Sequence, residues 1–226
     1  MVVVAIVGGT GSVGKALVDA FAKSNKHDTI VLARKVSEGA SVSSVFEVDY
    51  NNVEQLSNTL EENSVHTVIC TIAMMDAAAG QAELNIIAAA AKSPSTERFV
   101  GSNWVVATPN EEGCHCLQVG SYFVPLDPYA FYITLFEKSV DAVRKTDLEW
   151  TQIYNGLFLD YYGMPHVEIY LSPFLFAVDP TNMMAAIPGS TRNELISFTD
   201  TKDLGKFVVT AMDLPKWNQA LNFFRA

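Results

Sequence analysis

Short apolar runs alternate along the chain with stretches of helical period. Residues 2–7, 29–33, 45–48, 67–72, 99–100 and 150–154 are short, mostly apolar runs, as expected of strands buried on both faces. Between the first two runs, Val13, Ala16, Leu17, Ala20 and Phe21 recur at i, i+3, i+4, i+7 and i+8, one stripe that can lie on a sheet. The spacing predicts another helix over 128–144. Asp127 is placed to cap it, Pro128 suits its first turn, and Tyr132, Leu135, Phe136, Val140 and Val143 mark its buried side, with Lys138 away from that stripe. Repeated strand-helix-strand units of this kind predict an α/β fold, a doubly wound parallel sheet with helices on both faces.

After Gly156 the rhythm changes. Phe158, Tyr161, Tyr162, Pro165, Tyr170, Pro173, Phe174 and Phe176 form an aromatic, proline-punctuated stretch without clear period. Such a segment suits a small substrate lobe or lid over 157–195, or else a packed loop that covers a sheet edge. From 196 onward the helical rhythm returns, with Leu204, Phe207, Val208 and Ala211 as a stripe and residues 220–224 as a last strand. No internal repeat or low-complexity segment interrupts the 226 residues, so one main domain spanning 1–226 is expected.

Composition narrows the function classes. The chain carries 15 Lys and Arg against 25 Asp and Glu, a formal net charge of -10, which argues against a nucleic-acid surface because phosphate contacts need clustered cations. The first apolar run has no basic segment before it and leads straight into glycines, so it reads as a strand and not as a signal peptide. No uninterrupted apolar stretch is long enough to span a bilayer, and a cytoplasmic protein without membrane contact is expected. Three cysteines, Cys70, Cys114 and Cys116, give no paired framework. A metal site at Cys114-His115-Cys116 lacks the second cluster that tetrahedral coordination needs, and no metal is expected. Glu111-Glu112 reads as a solvated turn. No nucleophile elbow is present, and His27, His66, His115 and His166 fall in no triad or metal-helix spacing.

The chemistry concentrates in Gly8-Gly9-Thr10-Gly11-Ser12-Val13-Gly14, which follows a strand and opens a helix. Glycines there allow a tight turn and close backbone approach to a pyrophosphate, while the helix N-terminus offers N–H groups to the anion. The same turn could also serve only to join strand to helix. At the end of the second run, where a carboxylate would hold a free ribose 2′-hydroxyl, the sequence reads Ala33-Arg34-Lys35. A guanidinium there can meet a 2′-phosphate, so NADP(H) is favoured over NAD(H), the alternative being a solvated surface charge. Asp49, after the third run, is placed to accept from an adenine amino group or to cap the helix that starts near Asn51.

Taken with Arg98-Phe99-Val100-Gly101-Ser102-Asn103-Trp104, Lys138 and Trp150-Thr151-Gln152-Ile153-Tyr154-Asn155-Gly156, these motifs resemble the NmrA-like and isoflavone-reductase-like branch of the atypical short-chain dehydrogenases. The resemblance covers nearly the whole chain. It implies that Thr71, Ile72 and Ala73 line the cofactor and that Asn155 and Gly156 approach its nicotinamide end. Short-chain dehydrogenases usually set a Tyr four residues before the catalytic Lys. Here that position is Thr134, whose hydroxyl does not ionise usefully near neutrality, and Tyr129 and Tyr132 lie off the Lys138 face. Isoflavone-reductase-like members lack the Tyr too, which implies that Lys138 binds the nicotinamide ribose and assists proton transfer, against the plain alternative of a snorkelling helix lysine.

The leading expectation is therefore an NADP(H)-dependent reductase of a small aromatic or alicyclic metabolite, with Trp104, Tyr122, Phe123, Phe158 and Tyr161 shaping an apolar pocket. Two alternatives stand beside it: a non-catalytic dinucleotide sensor of the NmrA type, and an isomerase or cyclase that keeps the cofactor as a scaffold. The partners expected are a small-molecule substrate and either a second copy of the chain or a regulatory protein. Members of the branch continue for several helices past the point matching Ala226, which implies a reduced or more open substrate lobe.

Overall fold

The structure, a computed structural model, describes residues 1–35, 44–104, 126–164, 166–167, 169–173, 178–179, 182–185 and 197–223, and of 126–133 the backbone only. In chain order the elements begin with β1 (Val3–Val7), α1 (Ser12–Ser24), β2 (Asp28–Ala33), β3 (Val45–Glu47), α2 (Val53–Glu62) and β4 (Val65–Cys70). They continue with α3 (Ala77–Lys92), β5 (Arg98–Val100), α4 (Leu126–Val143), β6 (Glu149–Tyr154) and β7 (Leu157–Phe158). A 3-10 turn (Leu159–Tyr162), β8 (Val178–Asp179), β9 (Met184–Ala185), β10 (Phe198–Thr199), α5 (Thr201–Met212) and β11 (Ala220–Asn222) complete the described chain.

Seven strands form one sheet in the order β11-β6-β5-β4-β1-β2-β3, every neighbouring pair parallel. The strand order reverses between β1 and β4, which makes that junction the place where a doubly wound sheet opens a crevice beyond its carboxyl ends. Along β1 the side chains alternate between two cores. Ala5 and Val7 enter the one built with α2, α3 and α4; Val4 and Ile6 enter the other, built with α1 and α5. Both faces are buried, which is why the strand reads as an unbroken apolar run rather than an alternating one. The two short pairs β7 with β10, parallel, and β8 with β9, antiparallel, stand outside the main sheet. Among the described residues no helix is long and apolar enough to cross a membrane.

Three expectations shift in detail. Helix α4 already includes Leu126 and Asp127, so Asp127 stands inside its first turn and does not cap it. Phe207 lies at the edge of the α5 stripe and is 44% exposed, stacking on Phe223 with centroids 5.3 Å apart, while Leu204, Val208 and Ala211 are buried. Strand β4 starts at Val65 and ends at Cys70, which leaves Thr71 and Ile72 beyond the ladder on the crevice side.

Helix α1 is held against the sheet by α5, and the contact depends on small residues. A Cβ at Gly205 would lie 2.6 Å from Cβ of Ala20 and 3.1 Å from the carbonyl oxygen of Ala16. Gly205→Val should therefore force the helices apart and lower stability by roughly 1–3 kcal/mol, as overpacking does in dense interiors. Urea unfolding followed by circular dichroism measures it; an unchanged midpoint would contradict this account of the α1–α5 contact.

Candidate dinucleotide site

The carboxyl end of β1 is pinned on both sides. Gly8, with φ of +79°, donates its N–H to the carbonyl of Leu32 on β2 at 2.9 Å. Across the reversal, the Thr71 N–H and Oγ donate to the carbonyl of Val7 at 2.9 and 2.7 Å. A side chain at Gly14 would run into this turn: its Cβ would sit 2.3 Å from the Gly8 oxygen, 2.7 Å from the Gly9 Cα and 2.8 Å from Thr71 Oγ1. At Gly11 the situation differs, since a Cβ would meet only the Gly8 oxygen, at 3.2 Å. Gly11 is exposed, so open space lies on its outer side. The two glycines serve different ends, one close packing and the other close approach from outside.

Helix α1 begins directly after Gly11 with no side-chain cap and no acidic residue in its first turn. The other helices with described N-termini are capped: Asn52 accepts from Gln55 N in α2, Asp76 from Ala79 N in α3, and Asp200 from Lys202 N in α5. The first-turn N–H groups of α1 thus remain available to an anion, and the helix dipole favours one there.

On the β2 side Arg34 follows the strand, exposed, with no acidic partner among the described residues. Asp49 is exposed; its Oδ1 accepts from Asn51 N and Nδ2 at 2.9 and 3.1 Å, and its own N–H donates to Gln55 Oε1. The capping alternative for Asp49 fails, because α2 starts at Val53 and Asn52 is its cap. Tyr50, which the sequence did not single out, is buried beneath this half and donates its hydroxyl to Leu32 O at 2.9 Å, the carbonyl that also receives Gly8 N–H. Burial pushes its phenol up to about 12, so it stays a donor.

On the β4 side Ile72 O accepts from Ser102 Oγ at 2.6 Å, and Cys70 O from the indole N–H of Trp104 at 2.9 Å. Trp104 is packed in the core on the α1 and α5 side, as is Phe158, which meets Tyr161 edge-on at 6.3 Å. Tyr161 is half-buried, and its phenol is held above its ordinary range by burial and by the charge of Asp160. Beyond β6, Asn155 is fully buried; its Nδ2 donates to Gly156 O, while its Oδ1 has no partner among the described residues. Gly156 takes φ of +70°, and a Cβ on it would lie 2.3 Å from Ser197 O, so the chain after β6 passes tightly beside residue 197. Lys138 is exposed on α4 next to the buried Ser139, and Thr134 is exposed one turn earlier. Tyr122 and Phe123 lie outside the described residues, as do Glu111, Glu112, Cys114, His115 and Cys116. Among the described residues no group of His, Cys, Asp or Glu could hold a metal.

Sequence reasoning also missed Glu83, the acid of an otherwise apolar α3 face. The signal was present, since Gly80, Glu83, Ile87 and Ala90 share one helical stripe.

A turn that keeps its backbone bare where strand order reverses is how Rossmann-type proteins hold a dinucleotide, and this protein is of that class. It belongs to the NAD(P)H-binding family, whose sequence model matches residues 8–163. Oxidoreductase swnN of Metarhizium robertsii is 34% identical over 228 residues, an overlap of 96% of this chain and 67% of that protein. Oxidoreductase BOA1 of Botryotinia fuckeliana is 35% identical over 220 residues, covering 96% and 68%. In fold the chain is similar to the NADPH complex of leucoanthocyanidin reductase from Vitis vinifera (TM-score 0.67, 17% identity, 97% of this chain and 66% of that one). It is likewise similar to AtPrR2 with NADP+ and (+)pinoresinol (TM-score 0.68, 17% identity, 98% and 69%). The chain spans about two thirds of the length of these proteins.

The two glycines predict separable defects. Gly11→Val should fold normally and lose dinucleotide binding, because its side chain occupies the approach to the turn. Gly14→Val should fail by destabilisation instead. Calorimetric titration beside thermal unfolding tells these apart; normal binding by Gly11→Val would remove the turn as the site.

Proposed function

We propose that this protein is an NADP(H)-dependent oxidoreductase that reduces a small apolar metabolite of aromatic or alicyclic character. The observation that carries the cofactor choice is Arg34: exposed, following the second strand, and without an acidic partner among the described residues. A guanidinium so placed can pair with a ribose 2′-phosphate in bidentate fashion. That relatives at about a third identity are named oxidoreductases supports the reaction class.

The residues present fit the dinucleotide. First-turn N–H groups of α1 would take the pyrophosphate charge, with Gly8, Thr10, Gly11, Ser12, Val13 and Gly14 shaping its cradle. Arg34 and Asp49 would serve the adenosine half, and Thr71, Ile72 and Ala73 the wall at the reversal. The buried Oδ1 of Asn155, without a partner among the described residues, is an acceptor that a carboxamide N–H can satisfy, which suits the nicotinamide end. When bound, the cofactor supplies hydride. Lys138 holds the ribose hydroxyls and the proton that follows the hydride. Phe158 and Tyr161 offer an apolar wall with one neutral hydroxyl, and the 157–195 stretch is the substrate lobe. A dinucleotide sensor without turnover is the second reading, favoured by Thr134 in the place of the usual acid and by the exposure of Lys138.

Arg34→Asp should weaken NADPH binding at least about tenfold and spare or improve NADH, since an unpaired phosphate charge would face a carboxylate. Nucleotide fluorescence titration measures both; equal NADPH affinity in the two proteins would refute the assignment.

Lys138→Met separates enzyme from sensor. A lysine that only holds ribose would change cofactor affinity by about 1.5–3 kcal/mol, whereas one engaged in the transition state lowers kcat at saturating NADPH as well. The expected result is a fall in kcat for NADPH oxidation on a panel of aromatic ketones, enones and cyclic imines. Unchanged turnover in the variant removes Lys138 from the mechanism. Tight NADPH binding with no wild-type turnover on any panel member favours the sensor or the non-redox isomerase or cyclase.

A further inference from the structure

Glu83 is fully buried on α3 with no cation beside it among the described residues. Its Oε1 accepts from the Ser102 N–H at 2.7 Å, and its Oε2 from the Ser139 hydroxyl of α4 at 2.8 Å. Burial pushes its carboxyl up, while these two bonds and the neighbouring Cys70 thiol act the other way. A buried carboxyl without a counter-charge is costly, so its partners identify what it is fixed to.

Those partners lead to the crevice. The β4–β5 ladder ends at the pair Ile69 and Val100. Past that point, among the described residues, side chains join the two segments: Ser102 Oγ to Ile72 O and Trp104 Nε1 to Cys70 O, with the Ser102 hydroxyl also meeting the Cys70 thiol. Glu83 grips the Ser102 backbone from below and, through Ser139, ties it to the helix that carries Lys138. The doubly wound fold receives the two nucleotides on opposite sides of the reversal, adenosine over β1, β2 and β3 and nicotinamide over β4, β5 and β6.

We propose that Glu83 is the positioning residue for the nicotinamide half of the site, holding residues 102–104 and the end of β4 in register while leaving the adenosine half untouched. This rests on the dinucleotide reading above. Gln at position 83 keeps an acceptor for Ser102 N–H, and its amide can donate to Ser139, whose hydroxyl also accepts. Ala leaves both groups without a partner in the interior.

The test compares two probes, NADPH and adenosine 2′,5′-bisphosphate, which reaches only the adenosine half. Glu83→Ala should weaken NADPH at least about fivefold, a loss on the scale of one broken hydrogen bond, with the bisphosphate changed by less than about twofold. Glu83→Gln should restore NADPH to near the wild-type value. If Glu83→Ala does not fold, Ser102→Ala, which cuts the link to Ile72, should show the same asymmetry. Equal loss of both probes, no loss of either, or failure of Gln to restore binding would overturn the positioning role alone. Wild-type protein binding neither probe would overturn the dinucleotide reading with it.

Discussion

The space between Gly8 and Gly14 admits no side chain, and much of the molecule follows from that closeness. With the Gly8 carbonyl already where a Cβ of residue 14 would stand, the chain can leave β1 and enter α1 within a few residues. The helix then starts directly above the carboxyl end of the sheet, its first N–H groups met by no acidic residue of its own first turn. The same closeness brings Thr71 against Val7, so the reversal of strand order is closed by hydrogen bonds rather than by bulk.

The two sides of that reversal are stiffened by different means. On the β2 side one carbonyl, Leu32 O, gathers a backbone donor from the turn after β1 and a phenol from beyond β3. Under the other side the gathering group is an ionisable side chain. Carbonyl acceptors suffer no cost on titration, whereas a buried carboxyl does. The second arrangement is therefore the more demanding one, and it lies where three elements, α3, α4 and the segment after β5, must meet.

Much of the fold was legible because buried parallel strands announce themselves as apolar runs, and β1, β2, β3, β5 and β6 fall where those runs lie. The glycine turn was legible for the same kind of reason: its residue types answer to geometry that few others satisfy. What escaped were polar residues whose partners come from distant elements. Glu83 shows in the sequence only as a lone acid on an apolar stripe and Ser102 only as part of the motif after β5, and with Ser139 their meaning lies in the contacts they make together. Asp49 illustrates the opposite error, since an acid near a helix start suggests a cap, yet Asn52 is one residue before the helix and takes the bond. Phe207 shows that a residue at the margin of a helical stripe can pack against another aromatic at the surface instead of the core.

The glycine contact between α1 and α5 has a consequence for the order in which the protein is made. The turn that begins α1 is complete by residue 15, but part of the surface that holds α1 down, Gly205 and its neighbours, lies far along the chain and is synthesised much later. Until residues 201–212 emerge, α1 has an apolar face with part of its cover missing, and non-local closure of this kind is slow. The nascent chain thus carries the glycine turn, with its pins at Leu32 and Thr71, long before α5 is there to cover the helix that follows it.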